Sequence, residues 1–258
     1  GKIYRDGQGI EKDIQKAVAL FTLAATKENS FAAFALGKLY LAGDAALPRD
    51  PAAALKWLTY AAELGNQFAQ YRLGKLLLKG DDGIPKDVIT AIRWLTAAAK
   101  QENGYAEYAL ALVYLTGEDA PKDSVKALSL LKRSAGRGNQ FAQYRLGKLL
   151  LQGEDAPKDV KAAIRWLTAA AEQGNQYAQY ALGKLYLLGK EVPKDRSSAI
   201  KWFQLAADQG NEYAQYFLKH MDDRLGQPPV AAVISLFHHL ANIFQEQNQP
   251  PPSGGVRV

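Results

Sequence analysis

The sequence predicts an all-α protein: a right-handed α-solenoid of about six 36–37-residue helix–turn–helix repeats, closed by a C-terminal capping helix. Three observations predict it. The tripeptide Pro-Arg/Lys-Asp recurs at Pro48, Pro85, Pro121, Pro157 and Pro193, at spacings of 37, 36, 36 and 36 residues, and an earlier copy keeps Lys12-Asp13 without the proline. Each period carries two apolar stretches at helical spacing. Two short amphipathic helices cannot bury their faces alone, so stacking successive pairs is the stable solution.

The unit that begins at Pro157 shows each element in turn. Asp159 stands just before the periodic stretch, where its carboxylate can accept from the free N–H groups of a first helix. Ala163, Ile164, Trp166, Leu167, Ala170 and Ala171 fall on one side of that helix and form its buried stripe. Gly174 ends it with a backbone that favours glycine, and Asn175 caps the next helix. The second helix places Ala178, Leu182, Leu185 and Tyr186 inward. Gly183 lies at the margin of that face, where a missing side chain permits close helix approach. Gly189 ends the unit, and Lys190 to Pro193 lead into the next.

The chain begins in mid-unit, because Gly1-Lys2-Ile3-Tyr4 matches Gly183-Lys184-Leu185-Tyr186. Residues 1–10 therefore read as the end of a truncated preceding repeat, and residues 11–221 as the solenoid. After Tyr216-Phe217-Leu218 the pattern fails, with Lys219 and His220 in place of glycine and lysine. Residues 222–229 read as a linker ending in Pro228-Pro229. Val230, Val233, Leu236, Phe237, Leu240, Ile243 and Phe244 then mark one more amphipathic helix over 230–247, expected to cap the solenoid or to bind a partner. Residues 248–258 read as a flexible tail.

Composition narrows the chemistry. The 258 residues are 48% hydrophobic and 22% charged, which fits a folded chain, and no apolar run approaches the roughly 20 residues of a membrane span. No cysteine is present, which excludes disulfides and thiolate chemistry and fits either cytoplasm or periplasm, with cytoplasm the expectation. Of three histidines, His238 and His239 are adjacent and point about 100° apart on a helix, so they do not form a metal pair. The acidic loop pairs Asp81-Asp82, Glu118-Asp119 and Glu154-Asp155 lack the spacing of a calcium loop and read as solvated charges. Asp50, Asp87, Asp123, Asp159 and Asp195 are explained as helix caps, and the tryptophans as core. No catalytic residue, cofactor or metal site is expected.

One pattern points to a family. Ala-Ile-x-Trp-Leu-x-x-Ala-Ala-x-x-Gly-Asn-x-x-Ala-Gln-Tyr-x-Leu-Gly-Lys-Leu-Tyr-Leu-x-Gly, carried almost without gaps by residues 162–189, closely resembles the Sel-one-like repeat, a cousin of the tetratricopeptide repeat. The resemblance covers some four fifths of the chain. Two units depart from it: Leu130 replaces the tryptophan of Trp57, Trp94, Trp166 and Trp202, and Ala111 replaces the second-helix glycine. The resemblance implies a non-catalytic adaptor or scaffold. The cap-and-tail ending also looks like the segment after such repeats in some bacterial plasmid-mobilisation relaxases, although no relaxase motif is present.

Stacked repeats set equivalent residues in ladders about 10 Å apart. On the exposed side of the first helices lie Lys56, Arg93, Ser129, Arg165 and Lys201, followed by Thr59, Thr96, Lys132, Thr168 and Gln204. The resemblance implies that the first helix lines the concave surface, which makes that groove basic and suited to an acidic or extended peptide or a partner helix. The second helices carry Tyr71 with Lys75, Tyr144 with Lys148, and Tyr180 with Lys184, placed by their spacing roughly opposite the core. These serve either as interface residues or as rings packed against the neighbouring repeat. The net charge of +6 leaves two other readings open: a nucleic-acid-binding repeat, and a regulatory module attached to an upstream enzyme. The expected state is a monomer with no membrane association.

Overall fold

A computed structural model describes residues 1–220 except 8, 81 and 82. The expected linker, capping helix and tail, with His238 and His239, lie outside the described residues. Thirteen helices occur among the described residues: α1 (Lys2–Asp6), α2 (Ile14–Ala25), α3 (Ser30–Ala42), α4 (Pro51–Glu63), α5 (Gln67–Lys79), α6 (Val88–Lys100), α7 (Gly104–Thr116), α8 (Ser124–Gly136), α9 (Gln140–Gln152), α10 (Val160–Glu172), α11 (Gln176–Leu188), α12 (Arg196–Asp208) and α13 (Glu212–His220). No strand is formed among them. None of the described helices is long and apolar enough to cross a membrane.

Capping decides where every helix from α2 onward starts. Asp13, Asp50, Asp87, Asp123, Asp159 and Asp195 each accept from the backbone N–H three residues on, and so open the even-numbered helices from α2 to α12. Asn29, Asn66, Asn103, Asn139 and Asn175 do the same for α3, α5, α7, α9 and α11. Asn211 does so ahead of α13. The molecule is therefore an alternation of aspartate-capped and asparagine-capped helices.

The tight contact runs from each asparagine-capped helix to the aspartate-capped helix that follows it. Gly37, Gly74 and Gly147 lie against Leu58, Leu95 and Leu167, and Gly183 lies against Phe203. A β-carbon at any of the four would stand 2.6–2.7 Å from the facing side chain. The close approach expected of Gly183 is therefore present, and four equivalent positions share it, the other three and Gly1, which faces Phe21. Across α7 and α8 the glycine is Ala111, fully buried, so this pair alone accommodates a β-carbon there.

The buried stripe keeps Ala163, Leu167, Ala170 and Ala171 of the expected set, but the tryptophan position is not part of it. Leu58, Leu95, Leu131, Leu167 and Phe203 are completely buried, whereas Trp57, Trp94, Trp166 and Trp202 are half-buried at its edge. Ile164 and Tyr186, expected inside, are also half-buried. Alanines carry most of the remaining core, for example Ala54, Ala61 and Ala62 in α4. Small side chains let the helices approach, and the flat indole then covers the seam instead of filling it.

Of the acidic loop pairs, Asp119 and Asp155 are not simply solvated, a correction with a plain electrostatic reason, while Asp81 and Asp82 lie outside the described residues. Lys12, Lys86, Lys122 and Lys158 reach forward to Asp44, Asp119, Asp155 and Glu191, at 2.7, 2.6, 2.8 and 2.8 Å. Each pair joins the lysine of one Lys-Asp segment to the acidic loop of the next unit. Such exposed pairs contribute about 0–1 kcal/mol each, so they set register more than stability.

Candidate functional site

Two faces of the stack carry the ladders read from the sequence. On the aspartate-capped helices Lys56, Arg93, Ser129, Arg165 and Lys201 are all exposed, with Lys132 and Gln204, while Thr59, Thr96 and Thr168 are half-buried. Some of these groups are engaged locally. The Arg93 guanidinium lies 5.0 Å from the Trp94 ring centre and the Lys201 ammonium 5.7 Å from that of Trp202. Gln204 donates to Asp208 at 2.8 Å. Beside α4 an open cavity of about 700 Å³ is lined by Lys56, Trp57, Thr59, Tyr60 and Glu63, with Thr26 from the end of α2. Acidic residues interrupt this face at Glu63, Glu172 and Asp208.

The other face, on the asparagine-capped helices, is built differently. Each helix sets an aromatic ring at its second position and another three residues on. The later ring of one helix meets the earlier ring of the next: Phe34 with Phe68, Tyr71 with Tyr105, Tyr108 with Phe141, Tyr144 with Tyr177, and Tyr180 with Tyr213, at centroid distances of 6.4, 5.9, 6.3, 6.1 and 6.0 Å. The result is an aromatic stripe of five ring pairs running from α3 to α13. Tyr71 and Tyr144 are half-buried and Tyr180 is buried, so these rings sit between neighbouring units and do not stand free opposite the core. Phe31, Phe68 and Tyr105 remain exposed and carry the stripe to the surface. Burial raises the phenols of Tyr71 (to about 12), Tyr108, Tyr144 and Tyr180 above the ordinary value.

Cations line this stripe. Residues 68, 71, 72, 75 and 79 share one helical face at spacings of three and four, which places Arg72, Lys75 and Lys79 beside Phe68 and Tyr71. Arg145 and Lys148 repeat the arrangement on α9. The Lys38 and Lys75 ammonium groups lie 5.7 and 5.9 Å from the ring centres of Phe34 and Tyr71. Burial pushes Lys75, Lys148 and Lys184 down, and Lys148 reaches about 8 because Arg145 and Lys184 add to its desolvation while Glu154 only partly opposes them. Helices α3, α5, α9 and α11 contain no Asp or Glu at all. Among the described residues no group of three or more metal-ligating side chains converges.

Behind the stripe runs a ladder of buried amides that sequence reasoning passed over. Gln70, Gln143 and Gln179 donate to the carbonyls of Ala62, Ala135 and Ala171. Each then accepts from the glutamine that ends the next aspartate-capped helix, Gln101, Gln173 or Gln209, at 2.7–2.8 Å. In α7 the position is Glu107, completely buried, and the facing residues are Arg133 of α8 and Arg137 just past its end, at 2.6 and 3.4 Å from its carboxylate oxygens. The available signal was a polar residue recurring inside an otherwise apolar stripe, in the Ala-Gln-Tyr segments.

The Sel1 repeat profile matches residues 1–29, 30–66, 67–103, 104–139, 140–175 and 176–211. Its unit opens with the asparagine-capped helix, half a period from the frame that starts at Pro-Lys-Asp. Among solved structures, the chain is similar to c5321, a protective antigen of uropathogenic Escherichia coli with an SLR fold, at 34% identity and TM-score 0.76 over 87% of this chain and 48% of that one. It is also similar to a Sel1 repeat protein from Oxalobacter formigenes, at 34% identity and TM-score 0.77 over 85% and 63%. The immunity protein PA5088 of Pseudomonas aeruginosa shares the fold at 21% identity and TM-score 0.50, over 84% and 83%. The chain thus spans about half to two thirds of the length of the two more similar structures. No curated protein matches the sequence. Sel1 repeat proteins are generally non-catalytic and act as protein-interaction scaffolds, and with six matched units the chain belongs to the Sel1 repeat family.

Proposed function

We propose that the chain is a scaffold that binds an acidic, extended peptide segment of a partner protein along the aromatic, acid-free face of α3, α5, α7, α9 and α11. The observation that carries this reading is the coincidence of a stripe of ring pairs with cations and no carboxylate on four of those five helices. Rings supply apolar area at low entropy cost, and cations steer and orient an acidic chain. The ring contacts between successive asparagine-capped helices support placing them on the inner side of the stack, where like elements crowd together. In the frame of the family unit these are first helices, so the Lys56, Arg93, Arg165 and Lys201 ladder stands on second helices. The acids Glu63, Glu172 and Asp208 make that ladder a weaker candidate.

The test is affinity capture from source-cell lysate, with and without nuclease, on wild type and two charge-reversed variants. One carries Lys75→Glu, Lys148→Glu and Lys184→Glu; the other carries Lys56→Glu, Arg93→Glu, Arg165→Glu and Lys201→Glu. A nuclease-resistant protein lost only in the first variant is the expected result. Loss only in the second moves the site to the opposite face, and retention by nucleic acid alone overturns the reading.

A further inference from the structure

Helices α5 and α9 lie two units apart and are nearly the same object: residues 65–78 and 138–151 both read Gly-Asn-Gln-Phe-Ala-Gln-Tyr-Arg-Leu-Gly-Lys-Leu-Leu-Leu. Each therefore presents an arginine and a lysine three apart on the stripe, Arg72 with Lys75 and Arg145 with Lys148. In both arginines the Nε is buried and has no hydrogen-bond partner. Helix α7, between them, replaces this pair by Ala109 and Leu112 and shows only Tyr105 and Tyr108. The flanking helices α3 and α11 keep the lysine but have alanine at the arginine position, Ala35 and Ala181. The stripe thus alternates cationic, neutral, cationic along its middle three helices.

We propose that these two stations grip one extended peptide at two acidic clusters about six residues apart, with its uncharged, apolar middle lying across α7. This rests on the scaffold reading above and names the partner's chemistry. Stacked helices are about 10 Å apart, so two units separate the stations by roughly 20 Å. An extended chain advances about 3.3 Å per residue, which gives the spacing of about six. A guanidinium binds a carboxylate through two parallel N–H donors, which a lysine alone cannot do. This singles out α5 and α9. A single-stranded nucleic acid fits worse, because it carries a phosphate at every nucleotide and would leave those over α7 unpaired. Joining two stations by one ligand raises affinity through effective concentration, and only when the spacing matches.

The experiment is fluorescence anisotropy on the full chain with dye-labelled synthetic peptides. Each has two Glu-Glu clusters centred three, six or ten residues apart on a Leu/Tyr/Ala spacer, and a dye-labelled oligothymidylate is run beside them. The six-residue spacing should bind best, roughly tenfold tighter than the shorter one. Arg72→Gln or Arg145→Gln should each remove that preference and weaken binding roughly tenfold. Circular dichroism melts check that these variants fold, and Lys75→Gln with Lys148→Gln serves in their place if they do not. Lys56→Gln with Arg165→Gln should change nothing. Equal affinity at all three spacings, still lost in the stripe variants, overturns the two-station inference and leaves the scaffold reading standing. Loss in the Lys56/Arg165 variant instead, or tighter binding of oligothymidylate than of any peptide, overturns both.

Discussion

The central unit, α7 with α8, and its neighbours on either side solve one packing problem by different chemistry. In the neighbours a buried glutamine bridges two aspartate-capped helices through neutral hydrogen bonds, Gln70 to Ala62 and Gln101 on one side and Gln143 to Ala135 and Gln173 on the other. In the centre the same place holds the carboxylate of Glu107 against Arg133 and Arg137. The centre also lacks the tryptophan and the contact glycine, having Leu130 and Ala111. The lesson is that one backbone geometry of the stack accepts a neutral amide bridge at this place, a buried ion pair in α7, and the apolar Ala33 in α3. The energetic risk differs. A neutral amide that loses a partner leaves one group unsatisfied, whereas Glu107 without its arginines is a buried charge.

The largest effect expected from breaking this contrast follows. Arg133→Ala with Arg137→Ala should destabilise the chain by about 3 kcal/mol or more in urea unfolding, because Glu107 is fully buried. Gln101→Ala, its counterpart in the preceding unit, should cost only about 1 kcal/mol. Equal losses would show that the two arrangements do not differ as argued.

Next comes the helix contact. Gly147→Ala sets a β-carbon 2.7 Å from Leu167 Cγ and should cost about 1–3 kcal/mol. Ala111→Gly, which makes the centre resemble its neighbours, should cost about 1 kcal/mol through lost helix propensity. A stabilising Gly147→Ala would mean that Leu167 yields freely and that the glycine is not there for contact.

A rebuilt centre sharpens the same contrast. Glu107→Gln together with Arg137→Gln recreates the neighbouring lock and should stay within about 1 kcal/mol of wild type, while Glu107→Gln alone should lose more. A double-mutant cycle in thermal or urea unfolding reads the coupling.

The smallest expected effect concerns pH, and again sets a station against the neutral centre. Lys148 has its ordinary value of 10.5 lowered to about 8 by burial, then by Arg145 and Lys184, against Glu154. Between about pH 8 and 10.5 the unfolded chain therefore binds more protons at this group than the folded one, so its contribution to stability rises with pH across that window. The charge on the stripe falls over the same window. Affinity for an acidic peptide should weaken two- to threefold between about pH 7 and 9, and Lys148→Arg, which keeps the charge, should flatten that dependence. An unchanged profile in Lys148→Arg would remove Lys148 from the site.

Much of the architecture was legible in the sequence because its signals are local. A capping aspartate or asparagine acts on an N–H two or three residues away, and a 3.6-residue period states which side is apolar. The recurrence of Pro-Lys-Asp states how often the unit repeats. These alone give the helices, their caps at Asp159 and Asn175, and the α-solenoid. The half-burial of Trp166, the pairing of Lys122 with Asp155 and the bridging role of Gln143 join residues about 30 or more apart or depend on how closely two helices approach. Only the packed structure decides them, as it decided that Tyr180 is buried among Phe203, Tyr213 and Phe217 instead of standing free. Periodicity tells which residues share a face, but which neighbour covers that face is fixed by contacts between units, and a unit read by itself does not contain them.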